Sequence, residues 1–259
     1  MKKVFAFDFD GVLSESLLEA YLITWRISGG ILPELAPSEP LPTLESIQRF
    51  RDSHLAHWEH FSSLVPFGNR CEDYLVIQSA VRANRHLATQ AAFNSYRLRF
   101  EPWLEAFHAE FYRERYALTE SDPSRWLALN AAYPGIPGAL AALSRRFDLA
   151  IATSKDGRSV TSLLATYVVE SYFQPGSILD KSAGESKRAH LTALSGIFGV
   201  DFPDIFFIDD KVSHLIDCES LGVRCFLAGW GYNGLAERRE AAARGFRVLD
   251  VPTLAALEP

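Results

Sequence analysis

Cysteine is scarce in this 259-residue chain. Cys71, Cys218 and Cys225 are odd in number and form no CxxC pair, which argues against a thiolate metal cluster and for a reducing compartment. No apolar run approaches the length of a membrane span. Lys2 and Lys3 precede an apolar run, but Asp8 and Asp10 fall inside it, which does not fit a secretory leader. A cytoplasmic protein is therefore expected. Positive charge is not in excess: 26 Lys and Arg face 32 Asp and Glu, a net charge of -6. That balance gives no reason to expect nucleic acid or an anionic membrane as partner. What is present is ordinary for a soluble globular enzyme, with 48% hydrophobic and 22% charged residues. The length suits one large domain, or a core with a second domain inserted into it.

The chain is organised around Val4-Phe5-Ala6-Phe7-Asp8-Phe9-Asp10-Gly11-Val12-Leu13. A short apolar run reads as a buried strand. It ends in two carboxylates one residue apart, then a glycine able to make a sharp turn. Open α/β sheets bind ligands at the carboxyl ends of their strands. Two such close acids repel and are costly to desolvate, and a hard cation such as Mg²⁺ relieves both penalties. The alternative at this point is a plain Asp-Gly turn with both acids solvated.

Residues 15 to 132 read as an insertion. Ser14 and Glu15 before Leu17-Leu18-Glu19-Ala20-Tyr21 look like a capped helix start, and Gly29-Gly30 look like its end. A stiff loop with Pro33, Pro37, Pro40 and Pro42 follows. Helical periodicity then groups Leu44, Ile47, Leu55, Trp58 and Phe61, next Tyr74, Ile77 and Val81, and next Trp103, Leu104, Phe107 and Phe111. Asp122-Pro123 caps a short helix carrying Trp126. His54, His57 and His60 recur beside Glu59, but residues three apart drift around a helix and no HExxH spacing exists, so hydrogen-bonded or solvated histidines are expected there.

From Tyr133 to Pro259 the pattern changes to alternating strands and helices, the signature of a mostly parallel sheet covered on both faces. Phe147 to Ala152 read as a buried strand delivering Thr153-Ser154-Lys155 to its carboxyl end. Hydroxyls and backbone N–H groups leading into a helix from Gly157 suit a phosphate; plain N-capping is the alternative. Ser186 caps a further helix with Lys187 in its first turn, a poor place for a cation with respect to the helix dipole. Ile205-Phe206-Phe207-Ile208 is a second buried strand ending in paired acids, Asp209-Asp210. The fold class expected is α/β: a Rossmann-like core of residues 1–14 and 133–259 with a helical domain inserted after the first strand.

These elements are coherent in one chemistry. Acids hold a cation while a hydroxyl and an ammonium bind phosphoryl oxygens. One carboxylate attacks phosphorus, and water then hydrolyses the acyl phosphate. A second acid supplies and later withdraws a proton. Asp8-Phe9-Asp10-Gly11-Val12-Leu13, Ile151-Ala152-Thr153-Ser154-Lys155 and Phe207-Ile208-Asp209-Asp210 resemble three motifs of the haloacid dehalogenase superfamily, in its phosphoglycolate-phosphatase-like branch. The resemblance covers about residues 1–14 and 133–250. It implies Asp8 as nucleophile, Asp10 as general acid/base with its carbonyl on Mg²⁺, and Thr153 with Ser154 on the phosphate. Asp209 and Asp210 would complete the metal site, with Asp8. It also calls for a lysine, assigned to Lys187 with Lys181 as the alternative, because the Lys-Pro pair frequent in the family is absent. The inserted helices would form a cap over the strand ends, and the substrate would be a small phosphorylated metabolite such as phosphoglycolate or a sugar phosphate.

The second acid common in the branch four residues after the first of the fourth motif is Ser213 here, leaving Asp210 to compensate. Asp10 argues against dehalogenation. No lysine occurs from Glu15 to Ala132, which argues against a phosphonate hydrolase using a Schiff base on the cap. A phosphomutase and a non-catalytic binding protein remain as alternatives, and monomer and homodimer stay equally open.

Overall fold

The computed structural model describes residues 3–184 and 186–259. Glu185, within the Lys181–Lys187 segment, and the Lys2 of the N-terminal reading lie outside the described residues. The chain divides into two compact units, one of Met1–Glu15 with Ala131–Pro259 and one of Ser16–Asn130.

The first unit is built on strands β1 (Lys3–Phe7), β2 (Ser14–Glu15), β3 (Ala131–Ala132), β4 (Phe147–Ala152), β5 (Phe173–Leu179), β6 (Ile205–Asp209), β7 (Arg224–Ala228) and β8 (Arg247–Leu249). Six of them form a parallel sheet in the order β5-β4-β1-β6-β7-β8, with β1 between β4 and β6. That position explains its composition, since a strand paired on both edges and covered on both faces is apolar throughout. Val4, Phe5, Ala6 and Phe7 are fully buried. Register aligns Phe7 with both Ile151 and Ile208, so the residues where β1, β4 and β6 end emerge side by side. Asp8 and Thr153, just past β1 and β4, and Asp209, the last residue of β6, are those neighbours.

β2 and β3 correct the sequence reading. Ser14 and Glu15 do not cap a helix but pair antiparallel with Ala132 and Ala131. This pairing moves the divide between the units to 15/16 and 130/131.

The second unit is helical: α1 (Leu17–Ile31), α2 (Ile47–Ser53), α3 (Leu55–Leu64), α4 (Asp73–Arg82), α5 (Gln90–Arg97), α6 (Glu101–Ser121) and α7 (Pro123–Ala128). α1 runs through Gly29-Gly30 instead of ending there. A Cβ on Gly29 would stand 2.7 Å from the Ala36 Cα, so this glycine serves a close approach of the following loop, not a helix stop. The apolar stripes of α3, α4 and α6 are buried at Phe61, Ile77, Leu104, Phe107 and Phe111, whereas Leu55 and Trp103 are exposed. Asp122 caps α7 by accepting from the Arg125 N–H at 3.0 Å. The buried Glu19 carboxylate takes a two-pronged contact from Arg115, Nε at 2.7 Å and Nη2 at 2.9 Å, and a hydrogen bond from Trp126 Nε1 at 2.9 Å. His54, between α2 and α3, and the two histidines of α3 go to separate partners: His54 to Glu39, His57 to the Tyr21 hydroxyl, His60 to the Arg85 carbonyl.

Around the sheet run α8 (Ile136–Leu143), α9 (Gly157–Thr166), α10 (Lys187–Phe198), α11 (Val212–Glu219), α12 (Leu235–Ala243) and α13 (Val251–Ala255). One face of the sheet packs Val4, Ala6, Ala150 and Phe207 with Leu191 and Leu194 of α10, Leu215 of α11 and Ala241 of α12. The other carries a cluster of rings from Phe5, Phe147, Phe206 and Phe226. Each fully buried phenylalanine contributes about 1.5–3 kcal/mol. Among the described residues, no helix is long and apolar enough to cross a membrane.

Candidate active site

Four segments converge where β1, β4 and β6 end. The Asp8 N–H still donates to the Ile208 carbonyl at 2.9 Å, so the backbone is held in the sheet as the carboxylate leaves it. Asp8 Oδ1 accepts from the Phe9 N–H at 2.6 Å. Lys187, at the first position of α10, reaches the same oxygen with its Nζ at 2.6 Å and Asp209 Oδ2 at 3.3 Å, and donates to the Ala152 carbonyl at 2.7 Å. All three ammonium hydrogens thus have an acceptor, one on each of three strand ends. Lys181, the alternative lysine, is exposed.

Asp209 is fully buried. Its Oδ1 accepts from the Lys211 N–H at 2.9 Å and its Oδ2 meets His214 Nδ1 at 2.9 Å. The sequence draws attention to Ser213 and gives no sign of His214. One turn into α11, it is His214 that joins Asp8 and Asp209, the three donor atoms lying within 4.8 Å of one another. The Asp210 Oδ2 accepts from the Tyr232 N–H at 2.9 Å. Gly11 makes this packing possible. Its φ is +81°, and a Cβ there would stand 2.4 Å from Asp210 Oδ2. Gly231 closes the same spot, since a Cβ on it would meet the Gly11 carbonyl at 2.3 Å.

Thr153 is buried, and its Oγ1 accepts from the Lys155 N–H at 3.1 Å; Ser154 beside it is half-buried. Lys155, given no role from sequence, is buried as well, with its Nζ 3.0 Å from Asp10 Oδ1 and 3.4 Å from Oδ2. The backbone N–H groups at the start of α9, expected to suit a phosphate, are already used. Gly157 N–H donates to Asp180 at 2.7 Å and Ser159 N–H to the capping Asp156 at 2.9 Å. Among the side chains at this strand end, the Thr153 hydroxyl is the candidate for a phosphoryl oxygen.

Electrostatics divides the carboxylates. Burial raises the Asp8 carboxyl above its usual range against the pull of Lys187, with the charge of Asp209 adding to the rise. Burial also opposes ionisation of Asp209, but His214, Lys187 and the Lys211 N–H outweigh it and hold this carboxyl well below the usual range. Asp210 is pushed up to about 7, by burial first and by Asp209 and Asp8 next, against Lys211. Burial would lower Lys187, yet Asp8 and Asp209 more than compensate and raise it. Two of three buried carboxylates are therefore hard to ionise with the cations the chain itself provides. Carboxylate oxygens short of positive charge are what a hard divalent cation fits, and the carboxylates of Asp8, Asp209 and Asp210 are donors of the kind Mg²⁺ takes.

No family model matches the sequence, and no curated protein matches it. Among solved structures, a predicted phosphoglycolate phosphatase from Haemophilus somnus superposes with a TM-score of 0.63 at 18% identity, covering 98% of this chain and 97% of that one. A predicted phosphatase from Clostridium acetobutylicum gives 0.56 at 17% identity over 99% and 97%. A haloacid dehalogenase-like family hydrolase from Streptococcus pneumoniae gives 0.57 at 14% over 98% and 97%. The chain has the fold of haloacid dehalogenase-like hydrolases along its whole length.

Proposed function

We propose that this protein hydrolyses small phosphomonoesters through an aspartyl-phosphate intermediate, with Mg²⁺ as cofactor. The observation that carries the reading is the Lys187 ammonium held between Asp8 and Asp209 at adjacent strand ends, with Thr153 on the neighbouring one. An ion pair to the attacking carboxylate keeps that carboxylate aimed and leaves a cation where phosphoryl oxygens arrive.

Asp8 attacks phosphorus. An O–P bond forms as the bond to the leaving oxygen breaks, and Asp10 gives that oxygen its proton. Lys155 holds the Asp10 carboxyl in place for this transfer. Water then attacks the phosphorus of the acyl phosphate and loses a proton to Asp10, releasing inorganic phosphate and restoring Asp8. The Thr153 hydroxyl and the Lys187 ammonium bind the transferring oxygens through both steps. Asp8, the Asp10 carbonyl, Asp209 and Asp210 would hold Mg²⁺, which when bound offsets the negative charge shared by nucleophile and phosphoryl group. Phosphoglycolate and sugar phosphates are the substrate classes to try first, the former because the similar Haemophilus structure is that of a predicted phosphoglycolate phosphatase.

The test is a panel of phosphorylated metabolites assayed with Mg²⁺, run with wild type and Asp8→Asn. Wild type should release inorganic phosphate from at least one ester, and the variant should be folded and inactive. Unchanged turnover in Asp8→Asn would remove Asp8 as the nucleophile.

A further inference from the structure

The helical unit brings three chemically different metal donors together. Cys71 Sγ lies 3.5 Å from Glu72 Oε2 and 3.5 Å from His108 Nδ1, and that nitrogen lies 3.1 Å from the same Glu72 oxygen. Donors about 2.0–2.3 Å from a tetrahedral Zn²⁺ stand about 3.3–3.6 Å from one another. Both edges to sulfur already have that length. The nitrogen–oxygen edge is shorter because a proton holds it, and it opens by a few tenths of an ångström when a metal takes the proton's place. A row of hydrogen bonds needs only two close edges, whereas a metal face needs all three, and all three are present.

The donors are also held from outside the cluster. Cys71 and Glu72 sit in the turn leading into α4. There Asp73 Oδ2 accepts the N–H groups of Asn69 at 2.8 Å and Arg70 at 3.2 Å, while its Oδ1 takes Arg97 Nε at 2.6 Å. His108 lies on α6, its ring against Tyr112. The Glu72 side chain is 10% exposed and that of His108 41%, so the cluster has one buried side and one open to water. Thiolate, imidazole and carboxylate together are a Zn²⁺ donor set and a poor one for Mg²⁺.

We propose that Cys71, Glu72 and His108 form a Zn²⁺-class site with water as the fourth ligand, which ties the start of α4 to the middle of α6. On binding, the Cys71 thiol gives its proton to solvent and the sulfur lone pair goes to the metal. The site is independent of the phosphatase reading.

Co²⁺ is the probe, added to chelator-treated full-length protein in excess Mg²⁺. One equivalent should produce the thiolate-to-cobalt charge-transfer band in the near ultraviolet together with tetrahedral visible bands, and Zn²⁺ should bleach both. Cys71→Ser should lose the charge-transfer band, His108→Ala should weaken Zn²⁺ binding at least ~10-fold, and Asp8→Asn should keep the full spectrum. Zn²⁺ should raise the melting temperature of wild type more than that of His108→Ala. Absence of the band in wild type overturns the proposal. So does its survival in both Cys71→Ser and His108→Ala, which would assign it to Cys218 or Cys225.

Discussion

Lys155 Nζ stands 3.0 Å from Asp10 Oδ1 with its side chain fully buried, so a cation that looks like a surface residue in the sequence meets a carboxylate inside the protein. A buried ammonium persists only where a partner offsets its desolvation. The two lysines at the strand ends thus divide the first motif between them, Lys187 taking Asp8 and Lys155 taking Asp10.

If Lys155 positions Asp10 for proton transfer, its removal should matter most where the leaving group needs a proton. Lys155→Met should slow hydrolysis of an alkyl phosphate by ~10²-fold or more. An aryl phosphate with an acidic phenol should be affected far less. Steady-state rates with the two esters check this, and equal losses on both would assign Lys155 to folding or to phosphate binding instead.

Asp210 makes the stability of the metal-free protein depend on pH. Between the unfolded value of ~4 and about 7, the folded protein keeps a proton that the unfolded chain has released. The contribution of this group to stability therefore declines as pH rises through that window and is constant above it. His57 and His190, held down to about 4 chiefly by burial, act in the opposite sense and lose stability as pH falls through the same window. Urea unfolding of wild type against Asp210→Asn, without divalent cations, separates them. Relative to wild type, the variant should gain on the order of 2 kcal/mol between pH ~5 and ~7. A flat difference would show that Asp210 ionises normally.

The ion pair in the helical unit has no role in the proposed chemistry and should appear in stability alone. Glu19→Ala leaves the Arg115 guanidinium buried without its carboxylate and Trp126 Nε1 without its acceptor. Denaturation should show a loss of ~3–5 kcal/mol. A neutral result would mean that Arg115 finds water or another acceptor.

β1, β4 and β6 are legible in the sequence because each is a short apolar run ending abruptly in chemistry-bearing residues, and parallel register then brings those ends together. Lys155 and His214 were not, because their partners Asp10 and Asp209 are fixed by register and by the first turn of α11. Glu19 and Arg115 are far apart in sequence and meet only through packing of α1 on α6. α12 is illegible for another reason: Leu235–Ala243 is mostly Ala, Glu and Arg, and Ala241 is the residue it buries, so it has no apolar stripe. β2 and β3 are two residues each, too short for any alternation to show.

That short antiparallel pair has a consequence for how the chain can be altered. Glu15 faces Ala131, so the long helical detour leaves and rejoins the sheet unit at one point. In topological terms it is a removable loop. A two-residue hairpin turn of the Asn-Gly kind could bridge Glu15 to Ala131 without changing the register of any sheet strand. The fold can therefore accept insertions of quite different size and sequence at this point while the carboxylates at the strand ends stay in place.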